Sequence, residues 1–313
     1  MLAGAAAWAR ASPAAAAPPQ PALDDRMPAF WQAYDASRTE PEDARIEALL
    51  AGFFQPNEAL YRRAGGRAPD DAALRAWLPA FDPMAQSVRQ LHVRLVADLP
   101  AHVEHFVAAL PDFDPAASPM VLMPSLFRFD AHLEPDGMQL PLFFGADGIV
   151  RYHGPSADLG VLMSHEIFHC YQAQRQPALS LDPQPTLFSG LWLEGTATYA
   201  SERLNPGASL RHVLLDDEAL WRDGPALAPR IAAEVLARLD STADADLSAF
   251  LSAGHQGDWP ARAGYYIGLL AARRIGRTLG LREMASLPAP QVRERLVAAL
   301  AEIGAGPAPA AKG

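Results

Sequence analysis

The chain has 313 residues, 50% of them hydrophobic and 20% charged, with 36 acidic against 26 basic side chains and a formal net charge of −10. That balance fits a globular chain with an ample core in one domain or two, and excludes a nucleic-acid surface, since no lysine or arginine run is present. The single cysteine, Cys170, excludes an intrachain disulfide, and no stretch approaches the roughly 20 uninterrupted apolar residues of a membrane span.

Residues 1–21 are rich in alanine and proline, and Ala7-Trp8-Ala9 offers an A-x-A-like cleavage site. A basic n-region and a longer apolar core are missing. The segment is therefore expected to be a truncated secretory leader, which would make the protein periplasmic or secreted, or else a disordered tail on a cytoplasmic one.

From 22 to 111 the pattern predicts a helical support region. Phe30-Trp31-x-x-Tyr34, Ile46-x-x-Leu49-Leu50, Leu74-x-x-Trp77-Leu78 and Val88-x-x-Leu91 repeat apolar residues at three and four. Pro41-Glu42-Asp43 and Pro69-Asp70-Asp71 read as helix starts, with proline and acids in the first turn. His102 and His105 are spaced for a metal pair, but no further ligand accompanies them, so a solvated helix end is the expectation.

A second region, 112–303, opens with three short apolar runs that read as strands: Met120–Met123, Leu126–Phe129 and Leu140–Phe144. Pro141 suits an edge strand, because proline lacks a ladder N–H, and an edge can align an extended peptide. Ser156 reads as the N-cap of the helix that follows. Residues 304–313 read as a disordered tail.

That helix carries His165-Glu166-Ile167-Phe168-His169, an H-E-x-x-H pattern. Two histidines four apart lie on one helical face, where their imidazoles can converge on one metal ion, and Glu166 can reach a metal-bound water without being a ligand. Leu159, Leu162, Met163, Ile167, Phe168 and Tyr171 surround them, so the helix is predicted to be buried, and buried polar groups must be satisfied. Cys170 reads as a small packing residue. Glu194 is an acid inside the next apolar helical stretch, where a charge needs a metal or a partner such as Arg203. Two histidines and one glutamate leave a fourth position open, the arrangement of a catalytic zinc.

In these residues the chain resembles the gluzincin branch of the zincin-like metallopeptidases. Leu191-Trp192-Leu193-Glu194-Gly195-x-Ala197-x-Tyr199 is similar to the stretch that carries the glutamate ligand in that branch, with bacterial predicted zinc-dependent proteases nearest in character. The resemblance implies His165, His169 and Glu194 as ligands of one Zn2+ and Glu166 as general base. Thr198 stands where thermolysin-like enzymes place an aspartate that orients a zinc histidine, and the G-x-M-E-N exopeptidase motif is absent. Gly264-Tyr265-x-x-Gly268 resembles a late motif of the predicted proteases, which favours Tyr265 over Tyr266 as the donor to a developing oxyanion, with His255 the next choice. Arg262 is a candidate to hold a substrate carboxylate. His132, His153 and His212 read as surface or satisfied histidines.

The expected fold is α+β, predominantly helical and zincin-like, with a small mixed sheet whose edge strand lies beside the H-E-x-x-H helix. The expected function is zinc-dependent hydrolysis of peptide bonds in a peptide or protein substrate. The alternative is a catalytically inactive zinc-binding or helical interaction module.

Overall fold

The computed structural model describes residues 22–64 and 66–306. The leader expected at 1–21 lies outside them, as does the expected tail from residue 307 onward, while Gly304 closes the last helix. The described chain is mostly helical with one mixed four-stranded sheet, an α+β arrangement. No helix in it is long and apolar enough to cross a membrane.

The strands β1 (Leu23–Asp25), β2 (Met120–Met123), β3 (Ala131–Leu133) and β4 (Leu142–Gly145) lie in the order β1-β2-β4-β3. β1, β2 and β4 are parallel, and β3 is antiparallel to β4. β2 and β4 are buried at every residue, which is why each reads as a continuous apolar run and not as an alternation.

Three expectations are corrected here. Pro141 does not mark an edge: β4 begins one residue later and is paired on both sides, while the edge is β3, which contacts the H-E-x-x-H helix. Leu126–Phe129 is not a strand. Leu126 and Phe127 adopt left-handed backbone, with φ of 58° and 57°. The turn wraps a buried carboxylate: Asp147 accepts from Ser125 N at 2.5 Å, Phe127 N at 2.8 Å and Trp77 Nε1 at 3.0 Å. These three donors satisfy a group that burial pushes above the usual carboxylate range. Finally, β1 opens the region that reads as wholly helical, and it extends the sheet by pairing with β2.

Helices α1 (Met27–Ser37), α2 (Glu42–Leu49), α3 (Glu58–Arg63), α4 (Asp71–Phe81) and α5 (Ala85–Ala109) form the N-terminal layer. Asp70 caps α4, accepting from Ala73 N at 2.9 Å. Phe30, Phe53, Phe54, Trp77 and Phe81 pack ring against ring beneath it, with Trp77 stacked on Phe81 at 4.2 Å. Each such ring contributes about 1.5–3 kcal/mol by leaving water.

The remaining helices are α6 (Ala146–His153), α7 (Leu159–Arg175), α8 (Pro177–Ser180), α9 (Leu187–Leu204), α10 (Leu210–Val213), α11 (Glu218–Ala237), α12 (Asp244–Leu251), α13 (Ala263–Ile275), α14 (Leu281–Ala285) and α15 (Ala289–Gly304). One core joins the N-terminal layer, the sheet and α7; a second joins α9, α11, α13 and α15. α9 packs on α7 and on α13, so the α7–α9 contact is the seam between the two cores. Cys170 is buried on α7, and its thiol is pushed up to about 12 by burial, which keeps it a packing group.

Candidate metal centre

Helix α7 begins later than Ser156 suggests. Asp158 is its N-cap, accepting from Val161 N at 3.1 Å. The helix is then apolar and buried around most of its circumference, as the composition of 159–171 requires. His165 and His169 share one face, and α9 brings Glu194 against them.

The three side chains meet at a point. His165 Nε2 lies 3.1 Å from His169 Nε2, and Glu194 Oε2 lies 3.3 Å from the first and 3.4 Å from the second. Donors held about 2.0–2.2 Å from one ion at tetrahedral angles stand roughly 3.3–3.6 Å apart. The triangle is of that size, so the residues fit a metal ion, and among the described residues no other cluster of His, Cys, Asp or Glu comes as close together. Glu194 has no need of Arg203, because the histidines are its partners.

Burial opposes charge on His169, but Glu194 beside it outweighs burial and lifts the imidazole to about 9. Burial likewise resists ionisation of Glu194, yet the charge on His169 and hydrogen bonds from both rings hold its carboxyl well below the usual range. Burial, aided by the neighbouring His169, pushes His165 down against the pull of Glu194.

No partner to orient the two histidines is evident in the sequence, and Gln172 is one in the structure. Its Nε2 donates to Thr196 Oγ1 at 2.6 Å and to Leu193 O at 3.2 Å. Thr196 Oγ1 itself donates to Trp192 O at 2.6 Å, so it can only accept from the amide. Gln172 Oε1 must therefore face His169 Nδ1, 3.0 Å away, and accept its proton. That turns Nε2 of His169 toward His165 and Glu194, the side on which a metal ion would be held. A glutamine three residues past the second histidine carries no signal of its own. His165 Nδ1 is buried with no hydrogen-bond partner, so the polar contacts of that ring are made through Nε2.

The ligand group opens on a cavity of about 300 Å³ that Glu166, Tyr265, Asp130 and Arg262 also line. Glu166 makes no hydrogen bond to another described residue, and burial raises its carboxyl to about 8. The Tyr265 ring lies parallel to that of His165, within 5° at a centroid distance of 6.0 Å. Two glycines set this placement. A Cβ on Gly195 would sit 2.4 Å from Gly268 Cα, so α9 and α13 touch backbone to backbone next to Glu194 and one turn from Tyr265.

The other sequence candidates fall elsewhere. Tyr266 packs against Gly224, away from the cavity, and His255 stacks on Trp259 and does not line it. His105 Nε2 contacts Leu204 O at 2.9 Å, and His102 Nε2 is buried without a partner, so this end of α5 is less solvated than its sequence suggests. His153 is satisfied and buried: its Nδ1 meets Leu215 O at 2.8 Å and its Nε2 meets Asp130 Oδ2 at 2.6 Å. The unforeseen member of that pair is Asp130. Burial works against its charge, but the hydrogen bond from His153 holds its carboxyl down at about 2. His132 lines the cavity with Glu134 3.0 Å away, and His212 is exposed near Asp158. No family model matches the chain, and neither does any curated protein or solved structure.

Proposed function

We propose that this chain is a zinc-dependent metallopeptidase of zincin-like architecture, hydrolysing peptide bonds at His165, His169 and Glu194. The observation that carries the reading is the triangle of two imidazole nitrogens and one carboxylate oxygen with an unpaired carboxyl, Glu166, on the same cavity. A structural zinc site has four protein ligands and no use for such a group, whereas three ligands leave room for catalysis. A set of two nitrogens and one oxygen suits zinc.

When bound, zinc supplies a Lewis acid for the scissile carbonyl and brings the pKa of water toward about 7. Glu166 takes the proton of the attacking water and delivers it to the leaving amine nitrogen. The hydroxyl of Tyr265 has no hydrogen-bond partner among the described residues and is available to donate to the carbonyl oxygen as it gains charge. The edge strand β3 borders the same cavity through Ala131, His132 and Leu133, and its unpaired side offers ladder groups to an extended peptide.

Hydrolysis of a quenched peptide library, with and without zinc, tests the proposal. Zinc-dependent cleavage that disappears in Glu166→Gln, while that variant keeps its zinc, is the expected result. Undiminished cleavage in Glu166→Gln, or a zinc-loaded protein inert toward the whole library, defeats it; the second outcome favours a binding module.

A further inference from the structure

Arg262 also lines the metal cavity, and it does so under strain. It precedes α13 in left-handed backbone, with φ 54° and ψ 26°. Of the five described non-glycine residues with positive φ, Leu215 lines the same cavity and Asp216 follows it. Such conformations cost of order 1–3 kcal/mol each and gather where structure serves a site.

The guanidinium so placed lacks acceptors. Only 13% of the side chain is exposed, and Asp217 is its one ion-pair partner among the described residues. That contact, Nε to Oδ2 at 3.5 Å, is not a hydrogen bond: the buried Nε has no partner. The terminal nitrogens make no hydrogen bond to a described residue either. Neighbouring carboxylates are partly engaged elsewhere, with Asp217 Oδ2 left to the ion pair alone. Asp217 Oδ1 caps α11 by accepting from Leu220 N at 3.0 Å, and Asp130 is held by His153 Nε2 and, at 2.8 Å, by Ala131 N. An arginine cannot shed its proton, and one withdrawn from water needs acceptors for its fork of donors. The acceptor that fits a planar fork is a carboxylate, bound by two parallel hydrogen bonds.

The reach is short. Arg262 Cζ lies 5.9 Å from the centre of the Tyr265 ring, which lies 6.0 Å from that of His165. The guanidinium is therefore no farther than about 12 Å from the imidazole, and an extended residue spans about 3.3–3.6 Å. At most about three extended residues therefore fit between a bond held at the His165–His169–Glu194 group and an anion held at Arg262.

We propose that Arg262 is the receptor for a substrate carboxylate. This rests on the peptidase reading and deepens it: the favoured substrate carries a carboxylate within about three residues of the scissile bond, either the C-terminal α-carboxylate or an Asp or Glu side chain.

Calorimetric binding of three N-acetylated tripeptides to zinc-loaded Glu166→Gln and to metal-free wild-type protein tests the assignment. The three are Ac-Ala-Ala-Phe as the free acid, the same peptide as its C-terminal amide, and Ac-Ala-Ala-Asp as its amide. The free acid should bind roughly 10- to 100-fold more tightly than the Phe amide, the range expected for hydrogen bonds to a charged group. The preference should vanish when Arg262→Gln is added and survive in part in Arg262→Lys. If the Asp amide regains the affinity, a side chain is the source of the carboxylate; if it does not, the C-terminus is. Equal binding of acid and Phe amide, no binding of any peptide, or an acid preference that persists in a folded Arg262→Gln protein overturns the proposal. Cleavage assays on wild type separate the two readings. A carboxylate preference in binding with no cleavage sinks the peptidase alone; cleavage with no carboxylate preference sinks Arg262 alone.

Discussion

Gln172 decides which nitrogen His169 presents to the cavity. Its amide is locked by Leu193 O and Thr196 Oγ1, so its oxygen accepts from His169 Nδ1 at 3.0 Å and Nε2 turns to His165 and Glu194. Outer partners of this kind are commonly worth 10- to 100-fold in metal affinity. Gln172→Leu should weaken zinc binding by about that factor, measured by competition with a chelator, while leaving α7 folded. Gln172→Glu should retain most of the affinity, because its carboxylate still accepts from Nδ1. Unchanged affinity in the leucine variant would mean that the ring is oriented by packing alone.

The backbone contact between Gly195 and Gly268 predicts an asymmetry between two substitutions. Gly195→Ala drives a Cβ into backbone, Gly268 Cα at 2.4 Å, and should cost about 3 kcal/mol or more in chemical unfolding. Gly190→Ala, on the same helix, meets the Leu251 Cδ1 atom at the same 2.4 Å, but that atom ends a flexible side chain that can turn away. Its cost should be about 1 kcal/mol. Since Tyr265 rides on α13, Gly195→Ala should also lower hydrolysis by more than it lowers zinc content. Equal stability of the two variants would refute the close-contact argument.

Asp130 ties stability to pH. Its carboxyl is depressed to about 2 in the folded state, against an ordinary 3.8, chiefly by the hydrogen bond from His153 overcoming burial. A depressed acid stabilises the fold above its unfolded pKa and loses that contribution as pH falls through the folded value. The window is thus from about pH 4 down to about pH 2, and the contribution is of order 2 kcal/mol. Asp130→Asn should lower the urea midpoint at pH 7, and its deficit relative to wild type should narrow as the pH is taken from 5 to 3. A deficit independent of pH would assign the loss to packing.

The ligand pattern was legible because helical spacing is local: His165 and His169 are neighbours by geometry, and Glu194 stands out as an acid in an apolar helix. The middle strands β2 and β4 were legible for the same reason, as unbroken apolar runs between turn residues. Other features depend on partners distant in the chain. Leu126–Phe129 has the composition of a strand, and only Asp147, arriving from α6 with Trp77 from α4, makes it a turn. β3 is three half-buried residues, Ala131-His132-Leu133, with no alternation to announce it. Asp130 and His153 lie 23 residues apart and gain meaning only as a pair. Gln172 is an ordinary polar residue until the face it occupies is known.

Elemental analysis of the purified chain, with His165→Ala, Glu194→Ala and His102→Ala as comparisons, asks directly whether His165, His169 and Glu194 hold zinc. One equivalent of zinc is expected in wild type and in His102→Ala, and strong depletion in His165→Ala and Glu194→Ala. A wild-type protein that takes up no zinc from a buffered solution, or a Glu194→Ala variant that holds it undiminished, would contradict the account.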